Sequence, residues 1–203
     1  MYEQGKGVAQ DRKKAMRLYR KAADQGSSDA QLNLGNMYRE GAGVIQDNKK
    51  AVLWYLKAAD QGSLEAQYNL ANMYRDGKGV AQNNNEAVRW LLKASDEGDA
   101  DSQALLGAMF CLGQGVAQDY NEAAHWVRKA AVQGHANAQF NLGTMYSKGE
   151  GVAQDLNKMA SWFHKAADQG YVHAQFNLGN VYRYGNGVTQ DRKEAVRLYR
   201  KAA

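Results

Sequence analysis

Apolar and polar residues alternate along this chain with the spacing of amphipathic helices. Ala30, Leu34, Met37 and Tyr38 fall at i, i+4, i+7 and i+8, which places them on one face of a helix. This pattern predicts a first helix over roughly residues 28 to 40. The residues between these positions are mostly polar, so the opposite face is expected to meet solvent or a partner.

A second helix is predicted after a short glycine-rich loop. Gly41 can adopt the left-handed conformation that ends the first helix, and Asp47 can cap the start of the next one. The second helix is predicted over roughly residues 47 to 60, with Gly62 at its end. We call the first helix of such a pair the A helix and the second the B helix. The apolar side of this B helix consists of Ala51, Trp54, Tyr55, Ala58 and Ala59.

The helix pair recurs with a constant period of 36 residues, which is marked by Val8, Val44, Val80, Val116, Val152 and Val188. A fixed period of this length is typical of repeat architectures. Helices of about 13 residues are marginal alone in water, so neighbouring repeats must stack to build a core. The sequence therefore predicts an all-α solenoid with five complete A helices and six B helices. It forms one domain over residues 1–203, with a partial repeat 1–26, repeats 27–62, 63–98, 99–134 and 135–170, and a truncated repeat 171–203.

Two motifs within the repeat resemble the Sel1-like repeat, a relative of the tetratricopeptide repeat that is about two residues longer. One is AQLNLGNMYREGAGVIQD, from Ala30 to Asp47, and the other is KAADQG, from Lys57 to Gly62. The resemblance implies a right-handed superhelix of stacked antiparallel helix pairs, with the A helices lining a concave surface. It also implies an adaptor that holds other proteins, in bacteria often in signalling, envelope or host-interaction roles.

Glutamine recurs at two positions of the repeat, once in the A helix and once in the loop. We expect these amides to satisfy backbone groups near the glycine loops, because buried backbone groups need hydrogen-bond partners. The tryptophans of the B helices are expected to pack in the core. The glutamines are Gln31, Gln67, Gln103, Gln139 and Gln175 in the A helices, and Gln10, Gln46, Gln82, Gln118, Gln154 and Gln190 in the loops.

Function is expected where the repeats differ on an exposed face. On a helical wheel, the face opposite Ala30, Leu34 and Tyr38 holds the repeat positions of residues 29, 32, 36, 39 and 40. Rings with amides and guanidiniums beside them suit a groove for a peptide or a partner helix. The predicted partner-binding residues are the aromatic Tyr68, Phe140 and Phe176, with the polar Asn36, Asn72, Asn180, Arg39, Arg75 and Arg183.

These positions have a second interpretation. The rings at the repeat position of Leu32 can instead pack between adjacent A helices, and the Asn and Arg residues can be ordinary solvated surface. In the fourth repeat, Phe110, Cys111 and Leu112 replace the usual run of tyrosine, arginine and acid. This apolar step is either a local pocket or a change that the scaffold tolerates.

Composition and motifs give little support to catalysis. The Gly-x-Gly stretches lack the third glycine of a dinucleotide fingerprint, and no phosphate-binding loop, H-E-x-x-H or C-x-x-C occurs. The four histidines occupy different repeat positions, so no shared metal site is predicted. We predict no enzyme activity and no cofactor. The alternative is a β-lactamase-like enzyme, as some cysteine-rich relatives are labelled, but this chain has a single cysteine and no S-x-x-K.

Charge and hydropathy limit the classes of partner that the sequence predicts. The net charge is +5, but lysine and arginine are spread over all repeats, so no nucleic-acid partner is predicted. No apolar run is long enough for a membrane span, so no membrane insertion is predicted either. Both ends of the sequence fall inside a repeat, which suggests that the chain is a piece of a longer array. Incomplete repeats at the ends also suggest head-to-tail self-association. The compartment stays open between bacterial cytoplasm, periplasm and secretion.

Overall fold

A computed structural model describes residues 11–203, and these residues form eleven α-helices and no strand. The part of the first predicted repeat before Asp11, including Val8 and Gln10, lies outside the described residues. The predicted all-α class and the predicted five A and six B helices are confirmed for the described part. The A helices are α2 (Ser28–Glu40), α4 (Leu64–Asp76), α6 (Ala100–Leu112), α8 (Ala136–Lys148) and α10 (Val172–Tyr184). The B helices are α1 (Arg12–Asp24), α3 (Asn48–Asp60), α5 (Asn84–Asp96), α7 (Tyr120–Val132), α9 (Leu156–Asp168) and α11 (Arg192–Ala202).

The chain divides into two compact units, and each is described by itself. The N-terminal unit extends to Glu97 and contains α1 to α5, each packed on the next in chain order. The C-terminal unit starts at Gly98 and contains α6 to α11, packed in the same way. Within each unit, every A helix therefore packs on the B helices that precede and follow it in that unit. The assignment of the whole chain to one domain stays a prediction.

Local sequence signals place the helix ends. Gly41 adopts φ 71° and donates its backbone N–H to the carbonyl of Met37, which closes α2. The Asp47 side chain accepts from the backbone N–H of Lys50 at 3.0 Å and so caps α3. The predicted cap is confirmed in each of the six B helices, at Asp11, Asp47, Asn83, Asp119, Asp155 and Asp191.

Glycine in the A helices allows close contact with the paired B helix. A Cβ atom on Gly179 would lie 2.6 Å from the Tyr199 ring, and one on Gly143 would lie 2.7 Å from the Phe163 ring. Such distances are too short for carbon atoms, so any side chain here would push the ring away. The second A helix, α4, has Ala71 at this position, and the equivalent B-helix residue there is the smaller Leu91.

The predicted role of the glutamines is confirmed wherever the structure shows their bonds. Gln31 Nε2 donates to the backbone carbonyl of Ala23 at 3.2 Å, which joins an A helix to the end of the preceding B helix. In the loops, Gln46 Nε2 donates to the carbonyl of Arg39 at 2.8 Å. The same bonds are made by Gln67, Gln139 and Gln175 in the A helices and by Gln82, Gln118, Gln154 and Gln190 in the loops.

The tryptophans pack in the core as predicted, with Trp54, Trp90 and Trp126 buried and Trp162 half-buried. A lysine one helical turn later covers the outer side of each ring, for example Lys57 Nζ at 4.4 Å from the Trp54 ring centroid. The B-helix surface is thus built from aliphatic lysine stems over aromatic rings.

Candidate partner-binding face

We define the A-helix face as the side chains at the repeat positions of residues 29, 32, 36, 39 and 40 on the A helices. The nine predicted binding residues divide between the two units. Asn36, Arg39, Tyr68, Asn72 and Arg75 lie on α2 and α4, and the other four lie on α8 and α10. These four are Phe140, Phe176, Asn180 and Arg183.

A depression between α2 and α4, the α2/α4 slot, brings three of the predicted residues together. Its volume is about 280 Å³, and Arg39, Tyr68 and Asn72 line it beside Met73 and other side chains. Arg39 reaches across the slot and donates from Nη1 to Asn69 Oδ1 at 3.1 Å. The same guanidinium binds Glu40 at 2.7 Å. Burial lowers the pKa of Arg39, but the bond to Glu40 and the charges of Tyr55, Glu40 and Glu65 together raise the pKa overall, so Arg39 stays charged.

Two of the predicted asparagines hold the helix pairs together. The Tyr55 hydroxyl donates to Asn36 Oδ1 at 2.7 Å, and the Tyr199 hydroxyl donates to Asn180 Oδ1 at 2.8 Å. Burial raises the pKa of Tyr55 far above its ordinary value, so its hydroxyl keeps the proton that it donates. The third asparagine, Asn72, instead donates to the carbonyl of Tyr68 on its own helix at 3.0 Å. Leu91 stands where the tyrosine partner would be.

The aromatic residues differ in environment from one copy to the next. Phe140 is half-buried, and its ring lies 5.3 Å from Phe163 and 5.4 Å from Tyr171 between centroids. Phe176 is 53% exposed and contacts the Tyr199 ring at 5.7 Å. Tyr68 is half-buried along the α2/α4 slot. Phe140 therefore packs against α9 and the start of α10, whereas Phe176 presents an open ring.

The remaining arginines do not join one cluster. Arg75 Nε binds Asp76 at 2.9 Å, and Lys78 Nζ binds the same carboxylate at 3.0 Å. The bond from Arg75 holds the pKa of Asp76 below its ordinary value. In the C-terminal unit, the exposed Arg183 guanidinium lies 5.3 Å from the Tyr184 ring centroid.

The C-terminal unit exposes apolar residues that are not among the nine predicted binding residues. Leu112 is 66% exposed, Tyr184 62% and Val172 52%. Tyr171 stands at the N-cap of α10 but makes no capping bond. Its hydroxyl instead accepts from Asn137 Nδ2 at 2.6 Å. A non-capping residue at a capping position was the sequence signal that could have revealed this feature.

The apolar step of the fourth repeat lies in a second depression, the α6/α8 slot, of about 240 Å³. Cys111 and Leu112 line it from α6, and Met145 lines it from α8. Burial, and then the charge of Glu150, raise the pKa of the Cys111 thiol. The structure thus provides the local pocket that was one of the two interpretations.

The side chains and helices of residues 11–203 also bear on metal binding and membrane insertion. No three His, Cys, Asp or Glu side chains converge there in a way that could hold a metal ion. His135 caps α8 through Nδ1 and pairs with Asp101 through Nε2 at 3.1 Å. No helix in this part of the chain has the length and apolar character needed to cross a membrane.

Comparison with known proteins adds family evidence to this geometry. The Sel1 repeat profile matches six consecutive segments, 1–27, 28–63, 64–99, 100–135, 136–171 and 172–203. No curated protein matches the chain in sequence.

Solved structures provide further relatives. The chain is 38% identical to a protective antigen present in uropathogenic Escherichia coli strains, with a TM-score of 0.94 over 99% of this chain and 43% of the antigen. It is also 38% identical to a Sel1 repeat protein from Oxalobacter formigenes, with a TM-score of 0.92 over 100% of this chain and 83% of that protein. An immunity protein from Pseudomonas aeruginosa is 26% identical, with a TM-score of 0.58 over 92% of this chain and 72% of that protein. The chain thus spans less than half of the E. coli antigen.

Proposed function

Because this chain belongs to the Sel1 repeat proteins, we propose that it is a non-catalytic adaptor that holds a protein or peptide partner on its A-helix face. Sel1 repeat proteins commonly mediate protein–protein interaction, and their fold is typically a non-enzymatic scaffold. The proposal for this chain is narrower, since it assigns binding to particular side chains.

The exposed ring of Phe176 is the observation that carries the proposal. A phenylalanine that is 53% exposed leaves apolar surface in water, and rigid rings of this kind are common anchors at interfaces. Tyr184 and Val172 of the same helix are also more than half exposed. Together these side chains give α10 an apolar outer surface that a partner would cover.

The roles of the nine predicted residues differ under this proposal. Phe176 and Arg183 contact the partner directly, because both are exposed. Tyr68, Asn72 and Arg39 form the wall of the α2/α4 slot. Arg75 contributes at the rim, where it is paired with Asp76. Phe140, Asn36 and Asn180 shape the face from below through their contacts with B helices.

The test is a capture experiment with the purified chain as bait. Phe176→Ala is expected to lose the partner while the helical circular dichroism and the unfolding midpoint stay unchanged, because the ring is mostly in solvent. Val132→Ala is the matched control, since Val132 is 71% exposed at the end of a B helix. Equal retention by both variants would place binding away from the α10 face.

Self-association is the second candidate. Beyond α10 lies a groove of about 620 Å³ whose walls include Arg183, Tyr184, Val196 and Tyr199. Ala195 and Val196 lie at the repeat positions of Ala51 and Val52, which are buried in the N-terminal unit, yet Val196 is 48% exposed. A second copy would cover this groove. Sedimentation velocity over a hundredfold concentration range tests it, and a constant monomer would exclude it.

A further inference from the structure

The same depression recurs between successive A helices, but its arginine does not. In the α2/α4 slot, Arg39 of α2 faces Asn69 of α4. In the α6/α8 slot, two repeats later, Cys111 and Asn141 stand at these positions. The opposite wall keeps its methionine, since Met145 is the equivalent of Met73, while Thr144 replaces Asn72. The side chain that crosses the slot has been shortened.

Replacing arginine by cysteine leaves an acceptor without its donor. Asn69 Oδ1 accepts from Arg39 at 3.1 Å. Asn141 Nδ2 donates to Asn137 Oδ1 at 3.0 Å, but among the described residues no group donates to Asn141 Oδ1. The carbonyl oxygen that would receive a guanidinium is therefore present and open to a ligand.

The ion pair at the loop end of the slot is reversed as well. Asp76 and Lys78 of the α2/α4 slot correspond to Lys148 and Glu150, and the member of this pair that lines the α6/α8 slot is the acidic Glu150. Lys148 pairs with Glu150, and the 3.6 Å between Nζ and Oε1 is a long ion pair between an exposed lysine and a half-buried carboxylate. Long ion pairs that solvent can reach contribute little, so the Glu150 carboxylate can exchange Lys148 for a better partner. A bidentate guanidinium is such a partner.

From these observations we infer that the α6/α8 slot takes an arginine side chain of the partner. The guanidinium donates to Asn141 Oδ1 and to the carboxylate of Glu150, and its aliphatic stem lies on Leu112 and Met145. The chain's own Arg39 shows the contact between a guanidinium and the asparagine oxygen in cis. The inference rests on the proposed function, because it assumes a partner on the A-helix face.

The α8/α10 slot is an internal control for this assignment. It has Ser147 in place of Arg39 and the equivalent acceptor Asn177, so it is also without a crossing arginine. Its loop residue is Asn186, which carries no charge. The α6/α8 slot is therefore the one of these two with both an open acceptor and an acid.

The first experiment uses defined probes and not the unknown partner. Acetylated and amidated Gly-Leu-Arg-Leu-Gly is titrated into the ¹⁵N-labelled chain, beside the same peptide with citrulline or lysine at the centre. Citrulline keeps the shape but removes the charge. We expect the arginine peptide to shift the Leu112 and Asn141 signals and to bind about tenfold more tightly than the citrulline peptide. Lysine should fall between them, because an ammonium lacks the planar fork.

Variants of the chain assign the effect to the slot. Cys111→Arg places a guanidinium in the slot in cis and should abolish the preference for the arginine peptide. Glu150→Gln should reduce the affinity for the arginine peptide to about the affinity for the citrulline peptide. Ser147→Arg in the neighbouring slot should leave the affinity for the arginine peptide unchanged. Absence of any shift with millimolar arginine peptide, or equal binding of the arginine and citrulline peptides, would overturn the inference.

A thermal measurement gives an independent readout without any peptide. Cys111→Arg should raise the unfolding midpoint, and the gain should shrink when Glu150→Gln is present in the same protein. No coupling between the two substitutions would count against the slot as an arginine site. A captured partner could be lost with Phe176→Ala but bind the Cys111→Arg and Glu150→Gln variants as well as the unchanged chain. That result would support the proposed function and overturn the arginine site in the α6/α8 slot.

Discussion

In the N-terminal unit the α2/α4 slot is crossed by Arg39, whereas in the C-terminal unit the α6/α8 slot carries Cys111 at that place. The two slots have equivalent walls because the helices, glycine loops and glutamine bonds recur with the repeat. Their chemistry differs because a few outward residues are free to vary. Residues that recur in every repeat therefore set the shape of a slot, while residues that vary between repeats set the chemistry of its lining.

The exposed faces differ in the same sense. On the A-helix face of the N-terminal unit the charges are paired, as Arg39 with Glu40 and Arg75 with Asp76. On the same face of the C-terminal unit, Leu112 and Phe176 are exposed apolar side chains. Paired surface charges are well solvated, whereas exposed rings gain free energy when a partner covers them. This contrast is why we assign the main binding contacts to the C-terminal unit.

The largest expected change in the free energy of unfolding is at Asn36, which accepts a hydrogen bond from a buried tyrosine, in contrast to Asn72. Asn36→Leu should lower the free energy of unfolding by about 1–3 kcal/mol, because the buried Tyr55 hydroxyl loses its acceptor. Asn72→Leu is the matched control and should cost less than about 0.5 kcal/mol, since no tyrosine donates to Asn72. Urea unfolding followed by circular dichroism measures both. Equal losses would mean that the tyrosine bond contributes nothing.

Opening the α2/α4 slot should have a smaller effect. Arg39→Cys gives this slot the residue found in the α6/α8 slot and removes the bond to Asn69. We expect a loss of about 1 kcal/mol, because Asn69 is nearly buried and is left without its donor. Arg75→Ala, which breaks only the contact with adjacent Asp76, should cost less than about 0.5 kcal/mol. The unfolding midpoints of the two variants should differ accordingly.

A third prediction concerns a bond that other repeats make and the repeat of residues 63–98 lacks. In the C-terminal unit, Gln133 Nε2 donates to Gln103 Oε1 at 2.8 Å. Glu97 stands at the equivalent place in the N-terminal unit, and the buried Gln67 Oε1 has no partner. An ionised carboxylate cannot donate, so Glu97→Gln should stabilise the protein by about 0.5–1 kcal/mol.

The reverse change provides the control for that prediction. Gln61 donates to Gln31 Oε1 at 2.6 Å, so Gln61→Glu should destabilise the protein by a similar amount. Thermal unfolding of both variants at neutral pH tests the pair. A midpoint for Glu97→Gln at or below that of the unchanged chain would refute the proposed missing bond.

The smallest effect is on the thiol of Cys111. Burial and the charge of Glu150 raise the pKa of this thiol, so the folded state disfavours the thiolate. The thiol therefore contributes stability that is complete below the ordinary thiol pKa and is lost as the pH rises toward the folded value. Iodoacetamide should alkylate Cys111 more slowly in the folded chain than in urea, and Glu150→Gln should speed the folded reaction. A rate unchanged by Glu150→Gln would show that this carboxylate does not act on the thiol.

Much of the fold could be predicted from the sequence because its determinants are local. The helix boundaries follow from Gly41 and Asp47 and their copies, whose conformations depend on the nearest residues. The core positions follow from the helical spacing of residues such as Leu34 and Tyr38, both of which are buried. The recurring glutamines could be assigned to backbone groups because loops with this many glycines need donors.

The candidate site was less predictable, because exposure depends on neighbours in space. Phe140 and Phe176 occupy the same repeat position, yet Phe163 and Tyr171 cover the first ring, whereas the second ring contacts Tyr199 and the position equivalent to Tyr171 falls after Ala203. Asn36 and Asn72 are also equivalent, but only Asn36 faces a tyrosine across the helix pair. The partner-binding role of these residues stays a prediction.

The repeat, the helix ends, the buried positions and the family follow from the sequence alone. Each depends on the spacing of residues along the chain or on contacts between near neighbours. Helix packing determines which side chains make contacts within the fold and which remain exposed to a partner. It brought Asn141 opposite Cys111 and left that amide oxygen without a donor, where Arg39 supplies one to Asn69. Hydrogen bonds between residues about 30 positions apart depend on helix packing, and a single helix wheel does not contain that information.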